Sequence, residues 1–531
     1  MDRGRSLQKS SHTLICSWRS EMKARRTITA TLVVLMAASL AWAKEPPVMK
    51  MTTEIPPGIA TPDRLKTRIG TLNLFDGIPD EATAQIVYDN LDFQRGVQAF
   101  LNGLQVASLS GLRTSYLEFG PANTTVLLFE NLMDSKALYL TPNTVNIYMV
   151  AWLEIGKEPM VLQTPPDVLG FIDDAWFNYI ADFGRLGSDK NKGGTFIIAP
   201  PEYDEAAMAK LKSAHPDAHV FRSPTYGNWV IWRGFQENGD PAPAVARTKK
   251  IVSIAPLSQM NNPPKMNFIN VSGKYHNTIH RMDYEIYEEI NETIQREPTE
   301  AGDPELLGLL ASIGIQKGKE FKPDARMKKI LEEAADVGAA TVRTLASRPR
   351  GDYWYRYPGE RQWNTPFYAN NHEFLENGVR LLDARSFFFY YATGITPAMT
   401  KKFRGKGSQY SVAYSDSDGN PFDGSRTYKV NMPAPVPVKD FWSFTLYDNQ
   451  TRSMLQTDQQ FPGIDSNKKG LQKNSDGSID VYVGPKAPAG KESNWIQSVP
   501  GKGWNTLLRL YGPLEPWFDK TWRPGDFELV K

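Results

Sequence analysis

Five short apolar runs, NTTVLLFE, NTVNIYMVAWLEI, PMVLQTPP, GGTFIIAPP and GNWVIWRGF, follow one another between residues 123 and 235. Pro, Gly or Asn interrupts each of them. Runs of this length, rich in β-branched and aromatic residues and bounded by turn formers, read as strands. Their regular spacing predicts an antiparallel sandwich or jelly roll rather than βαβ units. A second set follows Pro349: SFFFYYATG, SQYSVAYS, RTYKVNMP, FWSFTLYD, SIDVYVG and NTLLRLYG. Between the two sets, MDYEIYEEINETIQRE, PELLGLLASIGI and PDARMKKILEEAADVGAATVRTLASR carry a helical period. The expected fold is therefore mainly β with a helical connector, in two β-sandwich or jelly-roll domains.

The boundaries follow from these textures. A tether rich in Pro and Thr covers 44–62, and a first domain of helices plus β-sandwich covers 63–275. The helical connector covers 276–349, and the second sandwich covers 350–531, closed by Trp517 and Trp522. Thr61-Pro62-Asp63 is expected to start a helix through Leu65 and Ile69, and a second helix is expected from Asp80 to Leu109. No internal repeat relates the two β regions.

Ahead of the tether, MKARRTITATLVVLMAASLAWAKE reads as an export signal over 22–43. Lys23, Arg25 and Arg26 precede a short apolar run, and Ala41-Trp42-Ala43 supplies the small residues at which cleavage follows Ala43. The run is too short to span a bilayer comfortably, so no membrane span is expected after cleavage. Residues 1–21 fit no targeting pattern and read as a start-site artefact, with Met22 the true start. Cleavage removes seven basic and two acidic residues from totals of 61 and 59, leaving 54 basic and 57 acidic. That near balance argues against nucleic acid as a partner. The only cysteine, Cys16, also departs, which leaves no disulfide, thiolate metal site or cysteine nucleophile. The expected location is the periplasm or the exterior.

Few motifs announce a chemistry. GRLGSDKNKGG at 184–194 lacks the Gly-Lys-Ser/Thr ending of a phosphate loop and reads as a turn with surface lysines. No G-x-S-x-G occurs, nor a dinucleotide fingerprint at a strand–helix junction, and no cofactor is evident. His215 and His219 flank Pro216 and read as surface residues. His276, His280 and Asp283 have a spacing that could align three metal ligands on a helix, against which stands simple capping and packing. Asp173-Asp174 and Glu288-Glu289 read as solvated faces. The acidic stretch YSDSDGNPFDGSRTY at 414–428 lacks the Gly and Glu of an EF-hand, and its flanks alternate with period two, so it reads as a hairpin loop.

Aromatic and charged residues on expected strands are the remaining candidates. Tyr148, Trp152, Tyr226, Trp229 and Trp232 in the first domain, and Tyr414, Trp442, Tyr447 and Trp495 in the second, could pack a core or stack on a flat ligand. Arg233, Arg385 and Arg509 lie within strand runs, where a charge needs a partner or a ligand. Asp182, Lys190, Lys192 and Asp383 complete the set of polar candidates.

TPNTVNIYMVAWLEIGKEPMVLQTPP, DFGRLGSDKNKGGTFIIAPPEY and SPTYGNWVIWRGF resemble the bacterial domain of unknown function 1254, and IHRMDYEIYEEINETIQREP and GIQKGKEFKPDARMKKIL resemble its helical continuation. DARSFFFYYATGITPAM, YSDSDGNPFDG, FWSFTLYDNQTRSML, NSDGSIDVYVG and NWIQSVPGKGWNTLLRLYGP resemble its partner, domain of unknown function 1214. The resemblance covers most of the mature chain. It implies two sandwich or jelly-roll domains joined through helices, in proteins often exported and often oligomeric. It brings no settled catalytic residues. One departure is Asn191, where that turn is expected to carry glycine.

Three functions compete. The first is an exported ligand-binding protein whose role can extend to hydrolysis of a small molecule or glycan. The second is a non-catalytic binding or assembly protein, a homo-oligomer using its sandwiches as platforms. The third depends on a metal held near His276 and His280. Fold alone does not choose among them.

Overall fold

In the computed structural model, which describes residues 47–530, the chain divides into two compact units, one ending at Ala84 and one beginning at Gln85. The export signal, Ala43 and Cys16 lie outside the described residues. The first unit holds a small antiparallel sheet of β1 (Arg64–Thr67), β2 (Gly70–Phe75) and β3 (Ile78–Pro79), where a helix was expected. The capping signal is misleading because Asp63 Oδ1 accepts the Asp76 N–H at 3.0 Å instead. Gly70, at φ 122°, turns the chain so that Leu65 pairs with Leu72. Helix α1 (Glu81–Leu117) then begins at Asp80, whose Oδ1 accepts the Thr83 N–H at 2.7 Å, and continues well past Leu109.

The second unit is mostly β, in several sheets. Its early strands are β4 (Thr125–Leu128), β5 (Ala137–Leu138), β6 (Ile147–Glu154), β7 (Met160–Thr164), β8 (Val168–Asp174), β9 (Tyr179–Gly184) and β10 (Gly194–Ala199). Helix α2 (Glu205–Ala214), β11 (His219–Arg222), β12 (Gly227–Gly234), α3 (Ala242–Ile251), β13 (Ser253–Pro256), β14 (Asn267–Asn270) and β15 (His276–Asn277) follow. A six-stranded sheet runs β14-β4-β6-β12-β8-β9, and a four-stranded sheet runs β11-β10-β7-β13. Strands β10 and β11 are parallel with α2 between them, a βαβ unit that the strand spacing did not suggest.

Connector helices α4 (Ile286–Arg296), α5 (Pro304–Ser312) and α6 (Ala325–Ser347) appear as expected, two of them capped by Asp303 and Asp324. The strand pair β16 (Leu375–Glu376) and β17 (Val379–Arg380) precedes α7 (Leu382–Tyr391). This helix corrects the strand expected at SFFFYYATG. Nearly every residue of α7 after Asp383 is buried, and a short apolar run enclosed on all sides has no face pattern to separate helix from strand. After α8 (Pro397–Thr400) come β18 (Ser408–Ala413), β19 (Tyr428–Met432), β20 (Val438–Asp448), β21 (Gly463–Asp465), β22 (Ile479–Gly484), β23 (Trp495–Gln497), β24 (Trp504–Pro513), α9 (Glu515–Phe518) and β25 (Glu528–Leu529).

These last strands form two four-stranded sheets, β18-β24-β20-β21 and β23-β22-β19-β25. Strands β18 and β19 therefore belong to different sheets, and the acidic stretch at 414–428 is a crossing between sheets, not a hairpin. Its carboxylates bind their own loop: Asp416 Oδ1 accepts the Asp418 and Asn420 N–H groups at 3.0 and 2.9 Å, and Asp423 Oδ1 accepts from Ser425. Phe444, Leu446, Leu508 and Leu510 from one sheet share a core with Val430, Met432, Val481 and Val483 from the other.

Two-sided burial organises the rest. Along β6, Ile147, Met149, Ala151 and Leu153 pack towards the neighbouring four-stranded sheet, while Val150 and Trp152 point the other way into the largest core. That core also takes Tyr410, Val412, Tyr447 and Leu507 from β18, β20 and β24, together with residues of α1, α4, α6 and α7. A face of the six-stranded sheet and a face of the β18-β24-β20-β21 sheet thus border one interior. Among the described residues no helix is long and apolar enough to cross a membrane.

Candidate functional site

The interior between these two sheets holds a cavity of about 80 Å³, walled on its apolar side by Phe171, Trp229, Phe388 and Tyr391. Its polar wall is built twice over. In the six-stranded sheet, Arg233 of β12 stands directly opposite Tyr148 of β6. In the facing sheet, Arg509 of β24 stands directly opposite Tyr410 of β18. Directly opposed residues of antiparallel strands project from the same face, so each sheet presents one arginine–tyrosine pair to the cavity. Alternation explains why: Trp229, Ile231 and Arg233 share a face, as do Leu507 and Arg509.

Hydrogen bonds tie the pairs together. Arg233 Nη1 donates to the Tyr410 hydroxyl at 3.3 Å, and the hydroxyls of Tyr410 and Ser408 lie 2.7 Å apart. Arg509 Nη2 donates to the Thr141 carbonyl at 2.7 Å, and its guanidinium lies 5.6 Å from the centre of the Tyr447 ring. The Tyr148 hydroxyl accepts from Asn143 Nδ2 at 2.8 Å. Among the described residues neither Arg233 nor Arg509 forms an ion pair. Burial opposes both charges, but the surrounding phenols hold the two guanidiniums firmly protonated, above their ordinary value. Burial pushes the Tyr410 phenol up, yet the two arginines outweigh it and hold Tyr410 below the usual phenol range.

A narrow annex of about 20 Å³ adjoins the cavity and shares Phe171, Arg233 and Met399 with it. Asp182 of β9 lines the annex, and Ser408 faces it from β18. Burial lifts the Asp182 carboxyl to about 7, against the Thr396 hydroxyl, the Ala398 amide, Arg233 and Lys401, which favour its anion. Behind it, Asp173 and Asp174 are fully buried, which corrects their reading as a solvated face. Asp174 Oδ1 accepts the Trp176 and Asn178 N–H groups, each at 2.8 Å, and burial lifts it to about 6. Neither oxygen of Asp173 has a hydrogen-bond partner among the described residues. Burial, then the neighbouring Asp174 and Asp182, push its carboxyl well above the usual carboxylate range, with the Ile395 amide acting the other way. Glu288 is exposed as expected, but its neighbour Glu289 is largely withdrawn from water, and burial lifts it to about 8.

The structure thus gathers Tyr148, Arg233, Tyr447 and Arg509 at one place, with Asp182 beside them. It leaves the other candidates elsewhere. Lys190 lies at the rim of a separate outer cleft, and Lys192 is exposed on the same loop. Trp152 is core, its Nε1 donating to Glu154 at 2.9 Å; Trp232 and Trp442 are core as well. Trp495 donates to the Gly484 carbonyl at 2.9 Å, and Tyr226 is hydrogen-bonded to Glu202 on the surface. Tyr414 is buried, its hydroxyl without a hydrogen-bond partner among the described residues. Asp383 pairs with Arg350 at 3.2 Å, and Arg385 bonds Asn102, both on α7 and not on a strand.

His276 belongs to β15 and His280 to the loop after it, so the helical spacing does not apply. His276 Nε2 meets the Tyr139 hydroxyl at 3.1 Å, His280 Nδ1 meets the Arg281 carbonyl at 2.9 Å, and Asp283 pairs with Arg281. Burial lowers the His280 imidazole to about 3. Among the described residues no three His, Cys, Asp or Glu side chains could share a metal ion.

Sequence reasoning missed Tyr410, Ser408, Thr141 and α7 as parts of the site. Tyr410 carried a signal, since Gln409 and Ser411 flank it in the SQYSVAYS alternation and set it on a single face. Nothing local marks Thr141, which reaches the site through its backbone carbonyl.

Residues 123–256 match the family described as protein of unknown function (DUF1254), and residues 407–515 match protein of unknown function (DUF1214). The chain aligns with the crystal structure of the VPA0106 protein from Vibrio parahaemolyticus at 19% identity and TM-score 0.51, over 83% of this chain and 100% of that one. At that identity the likeness concerns the fold alone. An uncharacterized protein from Burkholderia cenocepacia aligns more loosely, at 12% identity and TM-score 0.38, over 84% of this chain and 96% of that one. No curated protein matches the chain. The chain thus carries a DUF1254 region followed by a DUF1214 region, and each contributes one arginine–tyrosine pair to the cavity between them.

Proposed function

We propose that the protein is exported and binds a small organic anion with an apolar body in the cavity between its two β regions, the paired sheets acting as sandwich layers that carry the site. The observation behind this reading is the presence of two inward-facing guanidiniums, Arg233 and Arg509, with no carboxylate bonded to either among the described residues. A buried charge without a counter-charge is expensive, and an anionic ligand supplies the missing partner while offering acceptors to the guanidinium forks. The aromatic wall accounts for the apolar body.

The reading is tested with benzoate and phenyl phosphate as probes and benzyl alcohol as the neutral control. Trp229 lines the cavity, so binding is followed by tryptophan fluorescence and confirmed by calorimetry. Both anions are expected to bind, benzyl alcohol at least tenfold more weakly, and Arg509→Met to weaken the anions at least tenfold. Equal binding of alcohol and acid, or an unaffected Arg509→Met variant, overturns the reading.

Hydrolysis is the second reading, and Tyr410 favours it. A phenol held below its usual pKa, 2.7 Å from the Ser408 hydroxyl and beside two cations, is suited to accept and return a proton. Release of nitrophenol from small nitrophenyl esters, lost in Tyr410→Phe, would support it. Equal turnover by Tyr410→Phe would remove it.

A further inference from the structure

Outside the annex lies a wide cleft of about 710 Å³, lined by Arg185 and Lys190 of the DUF1254 region, by Lys439 of the DUF1214 region and by Lys406 just before it. Asp167 and Asp440 are its acids. Asp167 is already engaged, accepting from Arg185 at 2.9 Å. Lys190, Lys406 and Lys439 are exposed, and none forms an ion pair among the described residues. Three lysines therefore face one remaining carboxylate.

The placement of Lys190 is built. Asp189 is buried, and its two carboxylate oxygens accept the N–H groups of Gly184 at 2.7 Å and Gly193 at 3.1 Å. That clamp holds Lys190 and Asn191 at φ 51° and 67°, left-handed conformations in which asparagine is tolerated better than most residues. A second observation points inwards. Tyr511, on β24 two residues beyond Arg509, lines the cleft, is 2% exposed, and has a hydroxyl with no hydrogen-bond partner among the described residues.

Cleft, annex and cavity share walls in series. Leu169, Leu186 and Gly407 line both cleft and annex, and Phe171, Arg233 and Met399 line both annex and cavity. The annex between them is otherwise apolar apart from Asp182, Thr396 and Ser408. From outside inwards, the lysine-lined cleft borders the small, mostly apolar annex, and the annex borders the cavity of the two arginines.

We propose that the ligand carries two anionic groups joined by an apolar spacer, one seated at Arg233 and Arg509 and the other held in the outer cleft by Lys190, Lys406 and Lys439. The annex is narrow, so the spacer is a slender chain that parts Leu186 and Met399 as it enters. This proposal rests on the anion reading of the cavity and adds a second subsite to it.

The test compares dicarboxylates with monocarboxylates of equal length: adipate with hexanoate, suberate with octanoate, sebacate with decanoate. One diacid is expected to bind at least tenfold more tightly than its monoacid. In the triple variant Lys190→Gln, Lys406→Gln, Lys439→Gln that advantage should fall below threefold, with monoacid affinity unchanged. The three lysines are exposed, so the variant folds as the parent does. Monoacids that bind while no diacid binds more tightly, or an advantage that survives the triple variant, overturn the second subsite alone. Failure of every acid to bind overturns this proposal and the cavity reading together.

Discussion

Arg233 and Tyr410 are 177 residues apart in the chain, yet the Nη1 of one donates to the hydroxyl of the other at 3.3 Å. The bond crosses from the DUF1254 sheet to the DUF1214 sheet at the cavity. Arg509 makes the reciprocal link, donating from β24 to the Thr141 carbonyl. Each region therefore reaches into the other with a guanidinium, Arg233 to a strand residue and Arg509 to the loop before β6.

Tyr410→Phe removes the hydroxyl that meets both Ser408 and Arg233 while keeping the ring. The expected loss is about 1–3 kcal/mol, the cost of leaving buried polar groups without a partner. A lower urea midpoint with an unchanged slope is the expected result.

Stability should also depend on pH through Asp182. Its carboxyl is lifted from the ordinary 3.8 to about 7 in the folded chain, so the folded state holds a proton that the unfolded state releases. The contribution is full below about pH 4 and is lost as pH rises to about 7, with an upper bound of about 4 kcal/mol at 1.36 kcal/mol per unit. Asp173 and Asp174 slope the same way. Asp182→Asn should flatten part of the decline in denaturation midpoint between pH 4 and 7. Anion binding in the cavity should tighten as pH falls through about 7, since neutral Asp182 stops competing for Arg233.

Much of the fold can be read from the sequence because period-two alternation survives in strands such as TYKVNM and in the bounded runs of the first region. Arg233 and Arg509 stood out there because a lone charge in an apolar run breaks the pattern. What could not be read was which strands face each other. Alternation along one strand is local and can be read, but the pairing of Tyr148 with Arg233 and of Tyr410 with Arg509, and the meeting of the two pairs, depend on contacts far apart in the chain. Helix α7 was missed for a related reason: burial on every side erases the stripe that marks a helix. The hairpin expected at 414–428 failed because the same alternation fits a strand in either of two sheets.

Gly394 packs against Phe171 and Trp229 of the apolar wall. It sits at φ 68°, and a Cβ there would meet Phe171 Cζ at 2.6 Å and Trp229 Cζ3 at 2.7 Å. Gly394→Ala combines backbone strain with overpacking and should cost about 2–4 kcal/mol. A drop in melting temperature together with altered near-ultraviolet circular dichroism from Trp229 would show it.

Asp189→Ala should loosen the loop that carries Lys190. Two N–H groups, of Gly184 and Gly193, lose their acceptor. The expected cost is about 1–3 kcal/mol, read as a lower unfolding midpoint, with faster amide exchange confined to residues 184–194.

Because the two arginines stand on opposite walls, a ligand that touches both is also an adhesive. Occupancy and docking of the DUF1254 and DUF1214 regions become linked equilibria: whatever pries the sheets apart must first empty the cavity, and a filled cavity resists prying. At a ligand concentration a hundredfold above Kd the linkage amounts to about 2.7 kcal/mol. On the proposed anion reading, the empty protein would be the looser form, and a bound anion would act as a structural component of the chain that holds it.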